Sequence, residues 1–245
     1  MKQMFLKALL FILCVVTSPL VKAATPSSAA NDAVMELMAL PAENRQAVVQ
    51  AKGSELYPQL VQMAFSEAQP MSVRWKALIA MGEARGEQAT EDLMKASKHA
   101  QWFMRNAALV ALETANPKQA ISLAMTLIKD KALVVRSAAV ETLRKNATPE
   151  ARDLLWDELN QQYNFKNTQS LWIRPQIVEV LAQNPQNHEL RIFKELLSDK
   201  DSRVQLPAVH GLEKLTGTRL GDGPMKATAL VNLWKDYLKK EKVEL

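Results

Sequence analysis

Few side chains in this sequence are placed to do chemistry, and those few are scattered. Histidine ligates metals or carries a proton near neutral pH, and the three present are His99, His188 and His210. No two of them share the short spacing of a metal site, and His188-Glu189 is a lone His-Glu pair. The single cysteine, Cys14, falls in an apolar N-terminal run, so the rest of the chain has no thiol nucleophile. There is no Gly-x-Ser-x-Gly elbow and no glycine-rich phosphate loop; Gly217, Gly221 and Gly223 are spaced as in turns. The expectation is a chain with no catalytic residue, no metal site and no cofactor.

What does recur is arginine. Arg74, Arg105, Arg136 and Arg174, with Gln205 in the fifth place, follow one another at intervals of 31, 31, 38 and 31 residues. Guanidinium groups in a column could bind phosphate or carboxylate. Because each stands at the same place in a packing frame, a structural bridge between adjacent units is the expected role. Val135 to Leu143 shows the frame: an aliphatic residue precedes the arginine, a small one follows three later, and a large apolar one follows seven later. These positions face the core, and the alanines let neighbouring helices approach closely. Self-similarity at this period marks a stacked array.

Ahead of each frame lies a second amphipathic stretch. Leu56 to Phe65, Thr90 to Ser97, Lys118 to Ile128, Pro149 to Leu159 and Glu189 to Leu197 carry apolar residues three and four apart. The spacing therefore predicts an all-α, right-handed α-solenoid of about five helix pairs over 54–214, without β-sheet. Residues 24–31 read as a disordered leader ending in the helix cap Asn31. Residues 32–53 read as an N-terminal helical cap, with one helix over Ala33 to Leu40 and another from Pro41 through Gln50. Residues 215–245 read as a turn followed by a capping helix over Thr228 to Lys239. The longer third interval places an insert at 161–167, expected as a loop, whose aromatics Tyr163 and Phe165 are candidate binding residues.

The recurring Val-Arg-x-x-Ala-x-x-x-Leu at the head of the second helix resembles the HEAT-repeat family, including the HEAT-like repeats of bilin lyases, over about Leu56 to Leu212. The family often has an aspartate in the turn before that helix, matched here by Asp130 and Asp199, whereas His99, Ala68 and Thr168 occupy the place in the other repeats. The resemblance implies protein interaction as the role. HEAT-like metal hydroxylases use several His-Glu pairs, which this chain lacks.

The first 23 residues read as a secretory signal: Lys2 and Lys7 precede an apolar run too short to span a bilayer, and Val21-Lys22-Ala23 fits a cut after Ala23. Its loss removes three lysines, so the formal charge falls from +5 to +2. A nearly neutral chain gives no reason to expect nucleic-acid binding. A cysteine-free mature chain, periplasmic or secreted and with no membrane span, must draw its stability from its core.

The function expected on these grounds is non-catalytic binding of a protein or peptide. One alternative is a lyase-type accessory or enzyme holding a chromophore or small substrate in its groove, and another is a self-assembling envelope component. Positions one, five and eight after the frame residue share a helical stripe, which the resemblance places on the concave side. Its candidate binding residues are Trp75, Ile79, Asn106, Val110, Glu141, Glu179 and His210.

Overall fold

The computed structural model describes residues 28–146, 148–221 and 225–240. The expected signal segment and the first part of the leader lie outside the described residues. The fold is all-α. Among the described residues there are twelve α-helices: α1 (Ser28–Ala39), α2 (Ala42–Phe65), α3 (Met71–Arg85), α4 (Thr90–Ala96), α5 (Trp102–Ala115), α6 (Pro117–Leu127), α7 (Leu133–Lys145), α8 (Pro149–Leu159), α9 (Ile173–Gln183), α10 (Leu190–Leu196), α11 (Ser202–Thr216) and α12 (Ala227–Lys240). None of them is long and apolar enough to cross a membrane.

The helices pair as α2/α3, α4/α5, α6/α7, α8/α9 and α10/α11, and α3, α5, α7, α9 and α11 each pack on the next in chain order. The frame explains this packing. The small position three after the arginine (Ala77, Ala108, Ala139, Ile177, Ala208) and the large one seven after it (Met81, Leu112, Leu143, Leu181, Leu212) have no solvent exposure. The aliphatic residue before the arginine is fully buried in four repeats (Met104, Val135, Ile173, Val204), while Val73 is half-buried. Small residues let backbones close up. A Cβ on Gly82 of α3 would lie 2.9 Å from the Ala111 carbonyl oxygen of α5, so that contact requires glycine.

Helix starts follow local chemistry. Asn116 and Thr148 accept hydrogen bonds from the Gln119 and Ala151 amides, each followed by a proline whose missing N–H costs nothing at the first helical position. Asp201 caps α11 by accepting from the Arg203 amide. Gly217 ends α11 in the left-handed region at φ 66°.

Three boundaries differ from those the sequence suggests. Helix α1 begins at Ser28, so Asn31 lies inside it and is not its cap. The short helix over Pro41 to Gln50 and the first repeat helix over Leu56 to Phe65 are one continuous α2 of 24 residues with Pro58 inside it. The cap and the first repeat therefore meet within a helix. Gly53 lies at that junction, where a Cβ would come within 2.6 Å of the Ala84 Cβ; close packing on α3 holds the two halves in line. The insert also contains a short antiparallel ladder, β1 (Phe165–Lys166) with β2 (Gln169–Ser170), turned by Asn167 at φ 58°.

Ala139→Asp buries a carboxylate without a partner at a fully buried helix contact. It is expected to cost about 3 kcal/mol or more of unfolding free energy, read from urea midpoints. A midpoint equal to the parent's would place the buried face elsewhere.

Candidate binding surface

The four frame arginines are buried, none more than 6 % exposed, and a guanidinium in that setting needs its donors satisfied. Each first turns back to the turn or helix end before its own helix. Arg74 donates to the Ala64 carbonyl, Arg105 to those of His99 and Ala100, Arg136 to that of Asp130 and Arg174 to that of Leu159. Gln205 reproduces this half of the pattern by donating to the Asp199 carbonyl at 2.7 Å.

Each arginine also donates forward to the next repeat, while Arg74 Nη2 is buried without a hydrogen-bond partner among the described residues. Arg105 grips Asp130 with two bonds of 2.6 and 2.7 Å, and Arg174 grips Asp199 at 2.6 and 3.2 Å. Where the aspartate is missing, other groups serve. Arg74 donates to Gln101 Oε1 at 2.7 Å, and Arg136 donates to Asn164 Oδ1 at 3.1 Å and to the Tyr163 carbonyl at 2.9 Å. The column is thus the bridge between units that its place in the frame suggests. It also holds the starts of consecutive second helices beside one another.

The insert is built onto this bridge. Asn164 is 1 % exposed, donates to the Glu158 carbonyl at 2.7 Å and accepts from Arg136. The Tyr163 ring lies over the Arg136 guanidinium at 5.0 Å and the Phe165 ring over that of Arg174 at 4.6 Å. The Tyr163 hydroxyl donates to Glu158, and burial together with that bond pushes its pKa up to about 12. The expected free loop is therefore a packed hairpin, with Tyr163 still exposed at its edge.

The residues of the anticipated concave stripe divide into four groups. Trp75, Ile79 and Val110 are half-buried, and the first two pack against the core. Helix α1 lies against α3 here, where Lys76 Nζ donates to the Met38 carbonyl at 2.7 Å. Asn106 is buried, its Nδ2 donating to the Val134 carbonyl at 3.3 Å. Glu141 pairs with Arg144 one turn along α7; that bond holds its carboxyl below the usual range. Glu179 and His210 are exposed and share a cleft of 510 Å³ with Leu206, Pro207 and Arg203.

Besides Met35, Val48, Met225 and Leu233 toward the two ends of the described chain, four exposed apolar side chains stand at or beside helix starts. Met71 is 52 % exposed and Trp102 42 %, each the first residue of its helix; Val134, second in α7, is 37 % exposed, and Trp172, just before α9, is 53 % exposed. All four stand two or three residues before a frame arginine, in four consecutive second helices. The arginine bridges bring these starts side by side, so the four form a row along one edge. The same register in α11 carries Arg203. No single register in the sequence names the row: three residues before the arginine gives Met71 and Trp102, and two before it gives Val134 and Trp172.

Beside Arg203 the hairpin and the turn before α11 enclose a cleft of 540 Å³, lined by Phe165, Thr168, Gln169, Ser170, Ser198, Lys200 and Arg203 among others. Among the described residues no cluster of three or more His, Cys, Asp or Glu side chains could hold a metal.

No model of a known protein family matches this chain, and no curated protein does. Among solved structures it is similar to the crystal structure of an engineered protein, at 18 % identity over 77 % of this chain and 89 % of that one, with a TM-score of 0.48. A likeness that loose carries no argument about function.

The Asp130 carboxyl is pulled upward by burial, but Arg105 and the Ala132 amide outweigh that effect and leave its pKa lowered from 3.8. A lowered folded pKa means the contribution is fully present above the ordinary value and is lost as pH falls through the lowered one. The parent should therefore lose more stability than Asp130→Asn between about pH 5 and about pH 2, read as urea midpoints at each pH. Parallel pH profiles would show that the pair adds nothing.

Proposed function

We propose that this chain is an exported HEAT-like solenoid with a non-catalytic task, the binding of a partner protein, and that it takes an extended segment of that partner along the row of helix starts. The observation that carries the reading is the exposure of Met71, Trp102, Val134 and Trp172, each two or three residues before the frame arginine of α3, α5, α7 or α9. Packing within the array does not require a large apolar residue there, and exposed apolar surface without a structural reason is a mark of an interaction site. Tryptophans supply large rigid contact area and dominate binding energy in many interfaces.

The geometry of the row favours a strand-like occupant. Packed helices lie roughly 8–10 Å apart, and an extended chain advances about 3.3 Å per residue. A bound segment would meet successive helices at about every third residue and cover the row with about nine. A polyproline-like conformation, with about three residues per turn, would keep those contacts on one side.

The test is selection of random dodecapeptides displayed on phage against the immobilised mature chain. Selected sequences are expected to carry apolar residues at intervals of three. Trp102→Ala and Trp172→Ala, shown folded by circular dichroism, should each weaken synthetic copies of them by roughly ten-fold. Peptides that bind both variants as tightly as the parent would move the site away from this row.

A further inference from the structure

We infer that the cleft between the hairpin and the turn before α11 holds the terminal carboxylate of the bound segment, so that the segment ends there with its apolar residues trailing along Trp172, Val134 and Trp102. The inference rests on the row being the docking surface. Arg203 occupies in α11 the register that Trp172 occupies beside α9, so the cleft continues the row where its character changes from apolar to cationic.

The hydrogen-bond inventory of the cleft decides the sign of its ligand. Its two carboxylates are already engaged. Asp199 accepts from Arg174 and from the Asp201 amide, and Asp201 accepts from the guanidinium and the amide of Arg203. The Arg174 guanidinium is used up by Leu159, Ser170, Asn160 and Asp199. The charged groups left over are cationic donors, beside the Gln169 amide and two hydroxyls that can donate or accept. Lys200 Nζ and the Thr168 and Ser198 hydroxyls make no hydrogen bond among the described residues, and Arg203 engages Asp201 and the Ser170 carbonyl through Nε and Nη2, leaving Nη1. A site with cationic donors to spare and its carboxylates engaged takes an anion with paired oxygens.

The shape favours a chain end over an acidic side chain. At 540 Å³ the cleft is far larger than a carboxylate needs and admits a whole residue, with the Phe165 ring as an apolar wall. The bond from Arg203 to the Ser170 carbonyl, 3.1 Å, joins the two walls. A C-terminal residue brings a carboxylate and a side chain into such a space together, which is how peptide ends are commonly captured.

The experiment uses a fluorescein-labelled peptide of nine residues with leucine at every third position and alanine between, read by fluorescence anisotropy at low salt. It is made as the free acid, as the C-terminal amide, and as an amide with glutamate at the penultimate position. The free acid is expected to bind the parent at least ten-fold tighter than either amide, and Lys200→Ala and Arg203→Ala, each shown folded, should shrink that difference while leaving the amide unchanged. Equal binding of acid and plain amide, both weakened by Trp172→Ala, would overturn the carboxylate assignment and leave the row standing. The glutamate amide binding as tightly as the free acid would overturn the choice of a chain end. Failure of all three peptides to bind the parent would overturn both the cleft and the row.

Discussion

Leaving the donors of a buried guanidinium idle is costly, and in this protein that constraint falls where each repeat meets the next. Removing a charge from water costs several kcal/mol unless hydrogen bonds replace the lost hydration. Each frame arginine reaches two ways, back to its own turn and forward to a group of the following unit, although Arg74 keeps Nη2 buried without a hydrogen-bond partner among the described residues, its guanidinium 5.2 Å from the Phe103 ring. The forward partner varies, from Asp130 and Asp199 to Gln101 and Asn164, while the arginine does not. Apolar packing at Ala139 or Leu143 would tolerate some sliding between helices; a bidentate ion pair permits much less.

That chemistry explains the irregular third interval. After Arg136 the next turn has Thr168 in place of an aspartate. The additional residues of the insert bring Asn164 and the Tyr163 carbonyl to the unserved guanidinium and lay two aromatic rings over successive arginines. The hairpin that results forms one wall of the cleft beside Arg203. The same edge thus carries the bridges between successive second helices, the exposed apolar row and the cationic groups of the cleft.

Much of the fold is legible in the sequence because the frame repeats in phase: the buried positions before, three after and seven after each arginine can be named by counting. What counting misses is set by contacts distant in sequence. Nothing local announces that Gly53 and Pro58 lie within one helix, since that depends on close packing against Ala84. The packed state of the insert depends on Arg136, 28 residues away. The stripe was counted forward from the arginine into turns that α1 and the core partly cover at Trp75 and Ile79. The exposed residues of the row lie in the turn before it, at the starts of the second helices.

The bridging role of the arginines is tested most directly by hydrogen exchange on Arg136→Gln. Glutamine already stands in this place in the fifth repeat, where Gln205 keeps the backward bond to Asp199. The substitution should therefore preserve the tie to the Asp130 carbonyl and sever those to Asn164 and Tyr163. Mass-spectrometric exchange should show amides of 162–171 losing most of their protection while those in the middle of α7 keep it. Protection of the hairpin unchanged from the parent would contradict the account, because the insert would then be held by something other than the buried arginine.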